Sequence, residues 1–215
     1  MDMVDRDLAQ LRQEYTQASL DEASLPDEPF TLLARWLEEA LAAKVPEPNA
    51  FTLATVDRLG QPHARILLLK GFTPPYLYFY TNYESAKAQQ LAYNPYAAMV
   101  FWWASLERQV RIIGSVEKAP PEVSEAYFQS RPLSSQVSAW ASPQSRPITR
   151  AELEARWAEF QKRFGEGPVP RPSFWGGYRL KAEQIEFWQG RPHRLHDRIL
   201  YRQREAHWEK LRLAP

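Results

Sequence analysis

Phe51-Thr-Leu-Ala-Thr-Val56, Asp57-Arg-Leu-Gly60, Gln61-Pro62 and His63-Ala-Arg-Ile-Leu-Leu-Leu-Lys70 follow one another directly, and their reading decides the fold class. A β-branched and aromatic run, a turn closing on glycine and a second apolar run spell a β-hairpin. Outward from it, Tyr76–Tyr80 reads as a third strand. Ala97–Trp103 and Gln109–Val116 are two more, joined by a turn at Ser105–Glu107. Phe174–Gln189 is a long later strand, and Arg194–Leu213 holds a final pair. Connections this short cannot carry the crossover that parallel strands need, so the pairing is antiparallel. Six or more such strands predict a closed or nearly closed barrel with helices around it.

The helices are marked by spacing and punctuation. Leu32, Leu33, Trp36, Leu37 and Leu41 make an apolar stripe over Phe30–Val45, stopped by Pro46 and Pro48. Residues 2–18 predict a polar helix with Leu8, Leu11 and Tyr15 at helical spacing, and nothing in the pattern obliges it to pack. Further helices are expected over Ser85–Tyr93, 120–130 and 149–164, the last with Thr149 as N-cap and Glu152 three residues on. The fold class is therefore mainly β with flanking helices (α+β), antiparallel. An arm and amphipathic helix occupy 1–45, and 46–215 forms one structural unit.

Composition narrows the chemistry. In 215 residues there is no cysteine, which excludes disulfides, thiolate catalysis and Cys-ligated metals. The four histidines show no metal-site spacing, and no metal is expected. A formal net charge of +1 gives no global field for nucleic acid or membrane, so any anion site is local. The acidic N-terminus and the lack of a long apolar run predict a cytoplasmic protein. Neither dinucleotide nor P-loop glycine motifs occur.

Several constellations suit anions. Arg65 and Lys70 bracket an apolar strand read as buried. Lying five apart, they face one ligand only if the strand bulges or ends near Lys70; otherwise they are strand-end charges reaching solvent. Tyr80-Thr81-Asn-Tyr-Glu-Ser85-Ala-Lys87 runs from a strand end into a helix start, which favours phosphate or is a plain helix entry. Tyr127 and Arg131 lie four apart at a helix end, with Ser135 in the loop after Pro132; this suits a second phosphate, or Arg131 is a favourable helix-end cation. Gln109, Gln144 and Ser145 offer polar groups to a heterocycle edge. In Glu186-Phe-Trp-Gln-Gly-Arg-Pro-His-Arg-Leu-His-Asp-Arg198, an extended chain after Pro192 puts Arg194, His196 and Arg198 on one face. That face fits an anionic planar ligand or is a charged edge strand.

Together with E-R-Q-V at 107–110, S-F-W-G-G-Y at 173–178 and R-L-A-P at 212–215, these motifs resemble the pyridoxine/pyridoxamine 5′-phosphate oxidase family along nearly the whole chain. The resemblance implies an FMN-binding split β-barrel, a homodimer with FMN between subunits. It implies oxidation of pyridoxine 5′-phosphate or pyridoxamine 5′-phosphate by oxygen to pyridoxal 5′-phosphate and hydrogen peroxide. Carried over, FMN is held by Arg65, Ile66, Leu67, Leu68, Leu69, Lys70, Tyr80, Thr81, Lys87, Gln109, Gln144, Ser145, Trp188 and Arg198. The substrate phosphate meets Lys70, Tyr127, Arg131 and Ser135, with Arg194 and His196, the catalytic pair, over the pyridine ring. Arg12 and Tyr15 resemble an N-terminal lid. The family places a basic residue before the equivalent of Lys87 where this chain has Ala86, so one FMN-phosphate contact is expected to be missing.

Overall fold

A computed structural model describes residues 14–215. The chain clusters into two units, each taken by itself. The larger is Asn49–Val100 with Ile112–Glu183; the smaller is the chain up to Pro48 with Phe101–Arg111 and Gln184–Pro215.

In the larger unit the hairpin read from sequence is present. β1 (Ala50–Val56) pairs antiparallel with β2 (Pro62–Leu68), Phe51 opposite Leu67 and Val56 opposite Pro62. Asp57 closes the turn: its carboxylate accepts the amides of Leu59 and Gln61, and Gly60 has φ +79°, the left-handed region that favours glycine. β3 (Gly71–Thr73), β4 (Tyr76–Asn82), β5 (Tyr96–Trp103), β6 (Arg108–Lys118) and β7 (Trp175–Gln189) complete a path β2-β1-β5-β6-β7-β4-β3. The path has two ends, so the sheet is split rather than closed. Being at one end explains why β2 departs from the buried strand expected of it: Ile66 is 63% exposed.

Alternation along β1 and β4 puts Phe51, Leu53, Leu77 and Phe79 fully inside. β6 and β7 approach so closely at Gly114 that a Cβ there would lie 1.9 Å from the Lys181 carbonyl oxygen. Gly114→Ala is expected to destabilise the protein by about 3 kcal/mol, since main chain must move to admit the methyl. Denaturant unfolding checks it.

The larger unit holds four helices. α2 (Ala86–Tyr93) follows β4. α3 (Pro121–Ser130) ends at Arg131, whose extended ψ of 150° is what the following proline imposes. α4 (Leu133–Ala141) was not expected from sequence, and it moves Ser135 out of a loop into a first helical turn. α5 (Arg150–Phe164) opens with the capping box foreseen, Thr149 and Glu152 bonding reciprocally. It buries no residue fully and attaches through Trp157, Phe160 and Phe164, which pack on a cluster around Phe128, Val137 and Trp175.

The smaller unit is built on α1 (Pro29–Ala42), whose apolar stripe buries Leu32, Leu33, Trp36 and Ala40. Trp36 meets Phe187 edge-on at 5.2 Å and Trp103 at 6.3 Å. β8 (Asp197–Arg204) pairs with the end of β7 and with β9 (His207–Leu213).

Two expectations fail in this unit. The polar helix of 2–18 lies largely outside the described residues, but residues 14–18 are not helical. Their amides are taken by distant carboxylates: Thr16 and Gln17 donate to Glu107, and Leu20 to Asp197. The alternation of Arg194, His196 and Arg198 fails too. Pro192–Arg194 is a tight turn closed by the Leu195 amide on the Pro192 carbonyl, with His193 and Arg194 at φ 58° and 61°. The strand restarts only at Asp197, so of the three only Arg198 is a strand residue.

Among the described residues no helix is long and apolar enough to cross a membrane.

Candidate functional site

In the larger unit β2 ends at Leu68, and Lys70 lies beyond it, exposed, its amide donating to the Tyr78 carbonyl. Lys70 thus stands past the regular alternation of β2, exposed as a strand-end charge would be. Arg65 points inward along β2: its Nη1 donates to the Leu53 carbonyl at 3.2 Å and to Thr55 Oγ1 at 2.6 Å. Its Nη2 reaches Gln90 Oε1 at 3.0 Å. Thr55 also donates to Gln90.

Lys87, one residue into α2, is 6% exposed. Its Nζ donates to Thr81 Oγ1 at 3.1 Å and Ser85 Oγ at 3.4 Å. Thr81 in turn donates to Gln144 Oε1, which also receives the Asn82 amide. Ser85 spends no side-chain bond on capping, so the first amides of α2 keep their donors free of it. Neither Arg65 nor Lys87 has a carboxylate partner among the described residues. Burial, and then the neighbouring Arg65, push the Lys87 ammonium down to about 8. Two partly desolvated cations close together, lined by hydroxyls and amides, are an arrangement that an anion would stabilise.

A second anion-seeking group stands at the α3–α4 junction. Tyr127 stacks on Tyr80 at 3.8 Å, and both lie near-parallel to Trp175. The Arg131 guanidinium sits 4.5 Å over the Trp175 ring, and its carbonyl is held by Gln136 Nε2 at 2.8 Å. Arg131 Nη1 is buried with no hydrogen-bond partner among the described residues. A buried unpaired donor on a cation is costly unless a ligand completes it. Burial is also what lowers the Arg131 pKa and, with Tyr127 beside it, raises Tyr80 to about 12.

In the smaller unit the rings of Tyr15, Trp188 and His196 meet within 4.8–5.7 Å. His196 Nδ1 accepts the Arg191 amide at 3.1 Å, so the neutral ring carries its proton on Nε2. Burial, then Arg194, lower its pKa; Asp197 opposes them. Arg198 is tied to buried Glu186 at 2.8 Å and to the Ala214 carbonyl. Arg194 is exposed. Arg12 lies outside the described residues.

The structure thus groups Arg65, Thr81, Lys87 and Gln144 in one cluster, Tyr80, Tyr127 and Arg131 in another, and Tyr15, Trp188 and His196 in a third. Ser135 lies in the first turn of α4, its amide on the Pro132 carbonyl. Gln109 and Ser145 are half-buried and exposed respectively, with Ser145 at φ 71°. Sequence reading missed Thr55, Gln90 and Trp175. Gln90 could have been found: it stands three residues after Lys87 on one helix and so on the same face.

Residues 37–164 match the family model described as pyridoxamine 5′-phosphate oxidase. Residues 175–215 match the pyridoxine 5′-phosphate oxidase C-terminal dimerisation region. The pyridoxine/pyridoxamine 5′-phosphate oxidase of Synechocystis is 53% identical, over 97% of this chain and 98% of that protein. The protein of that name from Pseudomonas paraeruginosa is 56% identical over the same shares. Among solved structures, PhzG from Burkholderia lata in complex with tetrahydrophenazine-1-carboxylic acid has a TM-score of 0.85 at 30% identity. The match covers 90% of this chain and 95% of PhzG. An FMN-binding protein from Nostoc punctiforme has a TM-score of 0.71 at 20% identity, over 89% and 99%, a likeness of fold.

Proposed function

The chain belongs to the pyridoxamine 5′-phosphate oxidase family, and from that premise we propose that it is an FMN-dependent oxidase of phosphorylated B6 vitamers. Pyridoxamine 5′-phosphate, oxygen and water give pyridoxal 5′-phosphate, ammonia and hydrogen peroxide; pyridoxine 5′-phosphate and oxygen give the same aldehyde and peroxide. The observation that carries this reading is the pair of cationic clusters lacking counter-charges among the described residues, one at Arg65 and Lys87, the other at Arg131. Each fits one phosphate, and the reaction brings two phosphorylated rings.

FMN, when bound, supplies the two-electron acceptor. Arg65, Thr81 and Lys87 fit its phosphate. Ile66, Leu67, Leu68, Leu69, Lys70, Tyr80, Gln109, Gln144, Ser145, Trp188 and Arg198 are assigned to the rest of the cofactor. Tyr127, Arg131, Ser135 and Lys70 are assigned to the vitamer phosphate, where a planar guanidinium gripping two oxygens fixes orientation as well as charge. Arg194 and His196 are assigned to the pyridine ring, His196 presenting its Nε2 proton as a donor, with Arg12 and Tyr15 as cover. The chain's contribution is orientation and charge.

A homodimer is part of this proposal, with FMN at the subunit interface. The dimerisation-region match supports it. So do apolar side chains left at the surface of each unit, Ile66 and Tyr96 in the larger, Leu41 and Trp102 in the smaller. The location proposed is the cytoplasm.

Protein reconstituted with FMN should take up oxygen on addition of pyridoxamine 5′-phosphate and release one peroxide per aldehyde. A protein that binds both compounds and consumes no oxygen would be a carrier, not an oxidase.

A further inference from the structure

Residues 16–20 form no regular secondary structure, yet side chains engage the Thr16, Gln17 and Leu20 amides and the Ala18 and Leu20 carbonyls. Glu107 Oε2 accepts the amides of Thr16 at 2.9 Å and Gln17 at 3.1 Å. Arg191 Nη1 donates to the Ala18 carbonyl, Asp197 accepts the Leu20 amide, and Arg212 donates to the Leu20 carbonyl. The Glu107 bonds fall immediately after Tyr15. Tyr15 lies against Gly190 so tightly that a Cβ there would come within 2.6 Å of the ring.

Glu107 occupies a costly position. It follows the short turn Ala104–Leu106 and has φ 53°, a conformation glycine adopts without strain. Its backbone carbonyl accepts the Gly190 amide at 2.8 Å and Gln189 Nε2 at 3.2 Å. A glycine could supply that carbonyl; it could not supply the carboxylate. A strained non-glycine residue invites a functional reading, and here the side chain's own bonds give one.

We propose that Glu107 is a positioning residue. By gripping the Thr16 and Gln17 amides it holds Tyr15 on the Trp188 and His196 rings, and thereby sets how firmly the substrate ring is enclosed. The proposal rests on reading Tyr15 and His196 as substrate groups.

The test uses the full-length, FMN-reconstituted protein as wild type, Glu107→Gly and Glu107→Gln. Glu107→Gly relieves the positive-φ strain and removes the carboxylate together with its short stem. It should raise the KM for pyridoxamine 5′-phosphate about tenfold, a modest loss because both Glu107 bonds are solvent-exposed, with kcat and FMN content little changed. Amide exchange at Thr16 and Gln17 should quicken by about tenfold or more. Glu107→Gln keeps an acceptor oxygen and should recover most of both. Quicker exchange with an unaltered KM would overturn positioning while leaving the oxidase reading intact. Unaltered exchange would overturn the latch itself. A wild type that binds the vitamer and turns nothing over would reject the oxidase reading, and exchange would still decide whether Glu107 holds the segment.

Discussion

Arg131→Met is expected to raise the KM for pyridoxamine 5′-phosphate about a hundredfold or more while leaving the FMN content of the protein unchanged. The reason lies in how this arginine is held. Its guanidinium lies 4.5 Å over Trp175, its carbonyl is fixed by Gln136, and Nη1 is buried without a partner among the described residues. Methionine keeps the apolar cover on Trp175 and removes the orphan donor, so the unliganded protein should be as stable or slightly more so. Only the ligand loses. Lysine should not rescue it well, because an ammonium cannot lie flat on the indole and grip two oxygens at once. Steady-state kinetics together with the flavin-to-protein ratio read out both halves. An unchanged KM would remove Arg131 from the phosphate site.

Lys87→Met should lower FMN affinity by about a hundredfold and, in the apoprotein, leave stability unchanged or raise it by roughly 1–2 kcal/mol. Lys87 is desolvated beside Arg65, and among the described residues its partners are hydroxyls. Its pKa in the fold is about 8, against 10.5 for an ordinary lysine. Between those values the unfolded chain binds the proton and the folded apoprotein does not, so this group makes the apoprotein more stable as pH rises through that window. Binding the FMN phosphate favours the ammonium, so FMN affinity should fall as pH rises above about 8. Both pH effects should vanish in Lys87→Met. Thermal unfolding of apoprotein and titration with FMN across that range are the measurements. An apoprotein strongly destabilised by the substitution would mean that the lysine is a structural partner rather than half of an anion site.

The sequence made the strands legible because their signals are local. Asp57 and Gly60 fix one hairpin, and Thr149 with Glu152 caps α5 as written. What it hid was set by tertiary context. Leu133–Ala141 carries three serines and a weak stripe, and it is a helix in which Val137 and Trp140 pack on the cluster around Trp175. Ile66 to Leu69 look buried by composition, but β2 ends the strand path and leaves Ile66 outside. The cations were legible as types and as motifs. Their lack of acidic partners among the described residues was not, since that is a property of space: Arg65 turns to Gln90 rather than to an acid, and Arg131 buries one donor unpaired. The 190s turn misled for a different reason. Two successive residues in the left-handed region break an alternation that the letters alone suggest.

The account is tested most directly by mixing the FMN-reconstituted protein with pyridoxamine 5′-phosphate in the absence of oxygen and watching the flavin colour. Bleaching of the yellow form, with pyridoxal 5′-phosphate appearing one for one, and return of the colour with one peroxide when oxygen is admitted, is the predicted result. Colour that persists although the vitamer is bound would contradict it.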